Sequence, residues 1–219
     1  MSLVLYGHPF SSYTQKTTVA LYENGLPFDL LVVAPDNPEI AAEWAALWPL
    51  RKFPVLVDDG RMVAESSIII EHLHLHHAGP CRLLPDDPAE ALEVRFLDRF
   101  FDNHVMTPMQ APVAEALRPD AARKEEALAR AADLLETAYR WLETHLAGRT
   151  WAAGNAFSMA DCAAAPALFY ADWVHAIGPA FPALRAYRPR LLARPSNARA
   201  LEEARPYRHY FPLGAPDRD

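Results

Sequence analysis

Every run of this sequence that reads as a β-strand lies before Glu65, and beyond Glu90 no strand pattern returns and long helix-period segments dominate. A chain patterned this way folds as a small mixed α/β unit followed by a helical one. Residues 2–6 form a short apolar strand that stops at Gly7-His8-Pro9. A helix-period segment runs from Tyr13 to Glu23 and ends at Asn24-Gly25-Leu26-Pro27. Phe28–Val33 is a second apolar strand, which predicts a right-handed βαβ unit with a parallel pair. Asp36–Leu47 is weakly helical, Pro54–Ala64 reads as a hairpin turning at Asp59-Gly60, and Ser66–His77 reads as a helix. The predicted order is βαβ, helix, ββα.

Gly79, Pro80, Pro85, Asp86, Asp87 and Pro88 mark a linker. Beyond it, Glu90–Met109 and Asp120–Leu146 are long helix-period segments. In the second, Leu128, Leu135 and Leu142 recur every seven residues beside Ala131, Ala138 and Leu146, the buried stripe of a bundle helix. Met159–His175, Ala183–Leu192 and Asn197–Ala204 add shorter helices. The expected division is residues 1–79 as the α/β domain, 80–88 as a linker and 89–219 as an all-helical domain.

The 219 residues are 51% apolar and 22% charged, ordinary globular values. No apolar run is long enough to span a bilayer. The N-terminus lacks the charged region and cleavage site of a signal peptide. Two cysteines, Cys81 and Cys162, with no CxxC fit a reducing cytoplasm better than a disulfide framework. The net charge of −7 disfavours nucleic acid as a partner. Arg185, Arg188, Arg190, Arg194 and Arg199 are interleaved with prolines and acids and read as a solvated helix surface.

Five short stretches carry chemistry. Gly7–Lys16 joins the first strand to the first helix. Ser12 and Gln15 have the spacing of a capping box, which would leave Ser11 one residue outside the helix with a free hydroxyl. Unpaired N–H groups and the helix dipole suit that place to an anion. The alternative is that both serines only cap. Phe53-Pro54 opens the third strand, where a proline is tolerated because it donates nothing to a ladder. A cis bond there would turn the backbone of Phe53 toward a peptide ligand. Glu65-Ser66-Ser67 stands where a strand meets a helix. A carboxylate for an ammonium and a helix start for a carboxylate together suit an amino-acid head group, although an ordinary N-cap after a surface acid has the same spelling. Ser158 and Asp161 form a capping box, with Phe157 as its staple residue. His72 and His76, four apart on a helix, have a zinc-ligating spacing, but no Cys or Glu completes the set, so no metal is expected. No phosphate loop of the G-x-x-x-x-G-K type occurs.

In this order and spacing the motifs resemble the cytosolic glutathione transferases over nearly the whole chain. Pro54-Val-Leu-Val-Asp-Asp-Gly60 followed by Glu65-Ser66 is similar to the family's V-P-x-L-x-D-x-G and E-S. Gly7-His8-Pro9-Phe10-Ser11 is similar to the serine-using classes, phi-, zeta- and theta-like, of bacterial type. The resemblance implies a thioredoxin-like first domain and a helical-bundle second domain. It implies conjugation of glutathione, as co-substrate, to a small hydrophobic electrophile, in a cytoplasmic homodimer with a role in detoxification. By that resemblance Ser11 would donate to the glutathione sulfur and Lys52 would reach the glycine carboxylate. Phe53, before a cis Pro54, would pair with the cysteinyl amide, and Glu65 and Ser66 would hold the γ-glutamyl group. The electrophile would lie over Phe10, Tyr13, Phe101, Met106 and Met109.

Trp48, Arg51 and Phe53 stand where the family has Asn, Gly and Val. Ser11-Ser12-Tyr13 stands where the zeta pattern has Ser-Ser-Cys. Tyr6 lies inside the first strand and reads as structural. The alternatives are a glutathione-dependent isomerase of the maleylacetoacetate type, a dehalogenase, or a non-catalytic module for apolar ligands or partner proteins.

Overall fold

In the computed structural model residues 2–77, 79–120 and 122–219 are described. Met1 and Ala78, within the expected first domain, and Ala121, within the helix expected from Asp120, lie outside the described residues. The first unit runs β1 (Leu3–Gly7), α1 (Ser12–Glu23), β2 (Asp29–Val32), α2 (Pro38–Leu47), β3 (Val55–Asp58), β4 (Arg61–Ala64) and α3 (Ser66–His76). Its sheet has the order β2-β1-β3-β4. β1 pairs parallel to β2, with Leu5 opposite Leu30, and antiparallel to β3, with Leu5 opposite Leu56. This is the expected thioredoxin-like arrangement. The period-2 alternation of β1 explains the layering. Leu3 and Leu5 face Leu21 of α1 and Ile69 and Leu73 of α3. Tyr6 and Val4 belong to the cluster of the opposite face, with Ile40, Trp44 and Leu47 of α2. The β3–β4 turn has positive φ at Asp59 and Gly60, as a two-residue hairpin of this twist requires.

The second unit is helical: α4 (Pro88–Phe100), a π-helical turn (Phe101–Met106), α5 (Thr107–Ala116), α6 (Lys124–Leu146), α7 (Met159–Val174), α8 (Pro182–Leu192), α9 (Pro195–Ala204) and a 3₁₀ turn (Arg205–Tyr210). No described helix is long and apolar enough to cross a membrane. The predicted stripe of α6 is buried at Ala131, Leu135, Ala138, Leu142 and Leu146. Helix α7 is buried from Met159 to Asp172 and forms the centre of the bundle. Its N-terminus carries the predicted capping box, in which the Asp161 carboxylate accepts the Ser158 N–H at 2.9 Å. The same carboxylate accepts the Ala152 N–H at 2.9 Å and the Tyr187 hydroxyl at 2.6 Å.

Two local expectations are corrected. The helix expected over Glu90–Met109 is not one α-helix. Pro108 and Pro112 have no N–H to return to the preceding turn. The ladder shifts register upstream, and the Thr107 N–H reaches Asp102 O, five residues back. At α1 the cap is Ser11, not Ser12. Ser11 has extended backbone and accepts the Thr14 N–H at 3.3 Å, while Ser12 is already helical and buried. Gln15 closes no box with Ser12. Its amide donates to Pro9 O and to the Tyr170 hydroxyl, both at 2.9 Å, and so holds the preceding loop against α7.

Candidate active site

Two helix N-termini open into one cleft. Helix α1 begins at Ser11, and its approach to β1 depends on Gly7, where a Cβ would meet the Thr14 side chain at 2.7 Å. Helix α3 begins at Ser66, preceded by Glu65 at φ 70. Between them the loop from Trp48 to Pro54 turns through Arg51 at positive φ and enters β3 by a cis Phe53–Pro54 bond. The Trp44 indole N–H donates to Lys52 O at 3.1 Å, and the Phe53 ring lies 5.6 Å from that of Trp44. These contacts fix the loop while leaving the Lys52 side chain exposed.

The cleft has a volume of about 800 Å³. Ser11, Lys52, Phe53, Pro54, Glu65 and Ser66 all line it, together with Tyr13, Trp48 and Arg51. The other wall comes from the second unit: Arg95, Asp98, Arg99, Asp102, Asn103 and Gln110. Sequence reading missed this wall. Its signal was present in α4 and the π turn, where Arg95/Arg99 and Asp98/Asp102 recur at i and i+4.

Of the residues expected to hold an electrophile, only Tyr13 lines the cleft. Phe101, Met106 and Met109 are 0%, 2% and 4% exposed and belong to the bundle core. An apolar side chain on the inner face of a bundle helix is sequestered there, not presented to a ligand. Phe10 packs edge-on against Tyr170 at 5.4 Å, and its carbonyl accepts the Tyr170 hydroxyl at 2.8 Å. Tyr6 donates to Glu43 at 3.2 Å on the α2 side of the sheet and does not line the cleft. A second groove of about 670 Å³, against α5 and α6, is more apolar but contains none of the motif residues.

Charge under the cleft is organised around Lys16. Its ammonium lies 2.8 Å from Asp102 Oδ2 and donates to Ser67 Oγ at 2.9 Å. Ser67 in turn donates to Asp98 at 2.7 Å. The Arg99 guanidinium contacts Ser67, Asp98 and Asp102 from the solvent side. Glu71 and Arg95, which both line the cleft, form a two-bond pair at 2.8 Å. Burial, assisted by Asp102, pushes the Tyr13 phenol up to about 12, so it remains a hydrogen-bond donor at neutral pH. Burial likewise raises Cys81 to about 11 and pushes Cys162 well above the ordinary thiol range, so neither is a ready thiolate.

The fold agrees with that of known proteins. Residues 5–81 match the glutathione S-transferase N-terminal domain family and residues 105–195 match the C-terminal domain family. The chain is 32% identical to the uncharacterized GST-like protein YibF of Escherichia coli over 67% of its own length and 71% of that protein's. It is 32% identical to FtsZ-localized protein A of Caulobacter vibrioides over 77% of each chain. A crystal structure of a glutathione S-transferase from Methylobacillus flagellatus with glutathione bound superposes with a TM-score of 0.79. That match is at 26% identity and covers 91% of this chain and 98% of that one. The chain belongs to the glutathione S-transferase family.

Proposed function

We propose that the protein conjugates the glutathione thiolate to small electrophiles. The observation that carries this reading is the convergence of Ser11, Lys52, Phe53, Pro54, Glu65 and Ser66 on one cleft between two helix N-termini. A free thiol titrates near about 8.5 and is only a few per cent thiolate at neutral pH. Lowering that value by roughly two units corresponds to about 2.7 kcal/mol of preferential binding to the anion. Ser11 supplies a hydroxyl donor and α1 its N-terminal dipole. Capping does not consume the donor, because the Ser11 oxygen accepts the Thr14 N–H and its own hydrogen remains free. Lys52 is assigned the glycine carboxylate and the Phe53 backbone the cysteinyl amide. Glu65 is assigned the γ-glutamyl ammonium, and Ser66 with the α3 N-terminus its carboxylate.

The facing wall is polar, so the co-substrate we assign is a small electrophile with polar substituents, in place of the hydrophobic one expected from the resemblance. Isomerisation and dehalogenation would use the same thiolate. A binding module without turnover is the second reading, favoured by Trp48 and Arg51 in the cleft and by the relative named FtsZ-localized protein A.

Residues 1–79 and 89–219 are assigned as the two domains, with 80–88 as their linker. Exposed Ile68 and Leu75 on α3, with Leu92 and Phe96 on α4, support a homodimer. Two free cysteines fit a cytoplasmic setting. The test is calorimetric glutathione binding together with turnover of chlorodinitrobenzene. Binding with turnover is expected. Binding without turnover of any electrophile would favour the second reading, and absence of glutathione binding would contradict conjugation while leaving a module for other ligands standing.

A further inference from the structure

The structure brings His72 and His77 to the same carboxylate oxygen, an arrangement that the spacing of His72 and His76 did not predict. His72 Nε2 lies 2.7 Å and His77 Nε2 2.6 Å from Asp58 Oδ2. The three potential ligand atoms all lie within 4.8 Å of one another. Asp58 is the last residue of β3 and is held in register opposite Leu3 and Arg61. His72 is fixed within α3, and His77 closes that helix, its N–H donating to Leu73 O at 2.8 Å. Both histidines are 8% exposed. None of the three residues lines the glutathione cleft.

We propose that Asp58, His72 and His77 form a binding site for a zinc-class divalent cation, which ties the end of α3 to the end of β3. A hydrogen-bonded clasp needs only one imidazole on the carboxylate. Two rings on one oxygen, in a place largely closed to water, gather three donors where a single ion would satisfy all of them. Two imidazole nitrogens and one carboxylate are a zinc donor set, with the fourth position left to water. Calcium and magnesium call for all-oxygen shells and are not matched. Tetrahedral zinc bonds of 2.0–2.1 Å place ligand atoms about 3.3 Å apart. The two nitrogen–oxygen contacts would therefore open by about 0.7 Å, a side-chain adjustment that leaves the strand and helix in place. Each ring would carry its proton on Nδ1 and present the Nε2 lone pair. His76, with its ring centre 4.5 Å from that of His72, lies at the rim.

The test uses untagged full-length protein stripped with a chelator, then titrated with cobalt(II) read by its visible absorption and with zinc read by melting temperature. One ion per chain is expected, with tetrahedral-type cobalt bands and a melting temperature raised by zinc. His77→Gln and Asp58→Asn should each weaken uptake by roughly tenfold or more, a loss that even outer partners of a metal can command. His74→Gln should leave uptake unchanged. Wild-type protein that takes up no stoichiometric ion would overturn the site, leaving a hydrogen-bonded clasp. Uptake that survives in His77→Gln and Asp58→Asn would overturn it equally, by placing the ion on other histidines. Because the wild-type titration decides the first case, a variant that failed to fold would not shelter the proposal.

Discussion

The Lys16 ammonium lies 2.6 Å from Asp98 Oδ1, and both side chains are 1% exposed. The contact is ionic and lacks the alignment of a hydrogen bond. It joins α1, which carries Ser11, to α4, which forms the opposite wall of the cleft. Replacing Lys16 by Met would leave two carboxylates, Asp98 and Asp102, buried beside each other with only the half-exposed Arg99 as a cation. A loss of about 3–5 kcal/mol is expected in denaturant unfolding. A loss below about 1 kcal/mol would mean that water or Arg99 compensates the pair.

Ser11 and Ser12 should respond differently to alanine. Ser11→Ala removes the cap and the hydroxyl proposed to donate to the thiolate, so it should lose about 1 kcal/mol of stability and most of its turnover. Ser12, buried and already inside the helix, should lose little turnover when replaced. Thermal unfolding and turnover measured on the same preparations separate the two effects.

Asp161 accepts hydrogen bonds from Ala152, Ser158 and Tyr187 with no exposure to solvent. Asp161→Ala would orphan those donors and should cost about 3 kcal/mol or more. Tyr187→Phe removes one donor and should cost about 1–2 kcal/mol. Equal, small losses in both would show that the carboxylate does not organise the start of α7.

The Glu23 carboxylate gives a pH signature. Burial acts to raise its pKa, but the hydrogen bonds from Arg194 and Ser196 outweigh burial and hold it below the ordinary glutamate value. A depressed folded value contributes stability above the unfolded value of about 4.3, lost as pH falls through the folded value. Melting temperature should therefore fall more steeply below pH of about 4 in the wild type than in Glu23→Gln. Parallel curves would contradict the assignment.

Much of the fold was legible because it rests on local chemistry. The Asp59-Gly60 turn, the stripe of α6 and the Ser158–Asp161 box each declare themselves within a few residues. The positions of Phe53, Pro54, Glu65 and Ser66 at strand and helix starts were legible for the same reason. What was not legible depends on register or distance. Counting forward from Ser12 gave a plausible cap, but Gln15 is drawn to Tyr170, 155 residues away. Apolar Phe101, Met106 and Met109 could as well have faced a ligand as a core, and only the packing of α7 against them decides. The charged wall of Asp98, Arg99 and Asp102 and the meeting of Asp58 with His77 are tertiary facts that no short window contains.

Ser11 is proposed to lower the pKa of bound glutathione. The most direct measurement is thiolate absorbance of the bound tripeptide as a function of pH, in wild type and in Ser11→Ala. The wild-type midpoint should lie roughly two units below the free-thiol value of about 8.5. In Ser11→Ala it should return most of the way to that value while glutathione remains bound. The same midpoint in both proteins would contradict the account, and would pass the role to the Tyr13 hydroxyl or to no residue of this cleft.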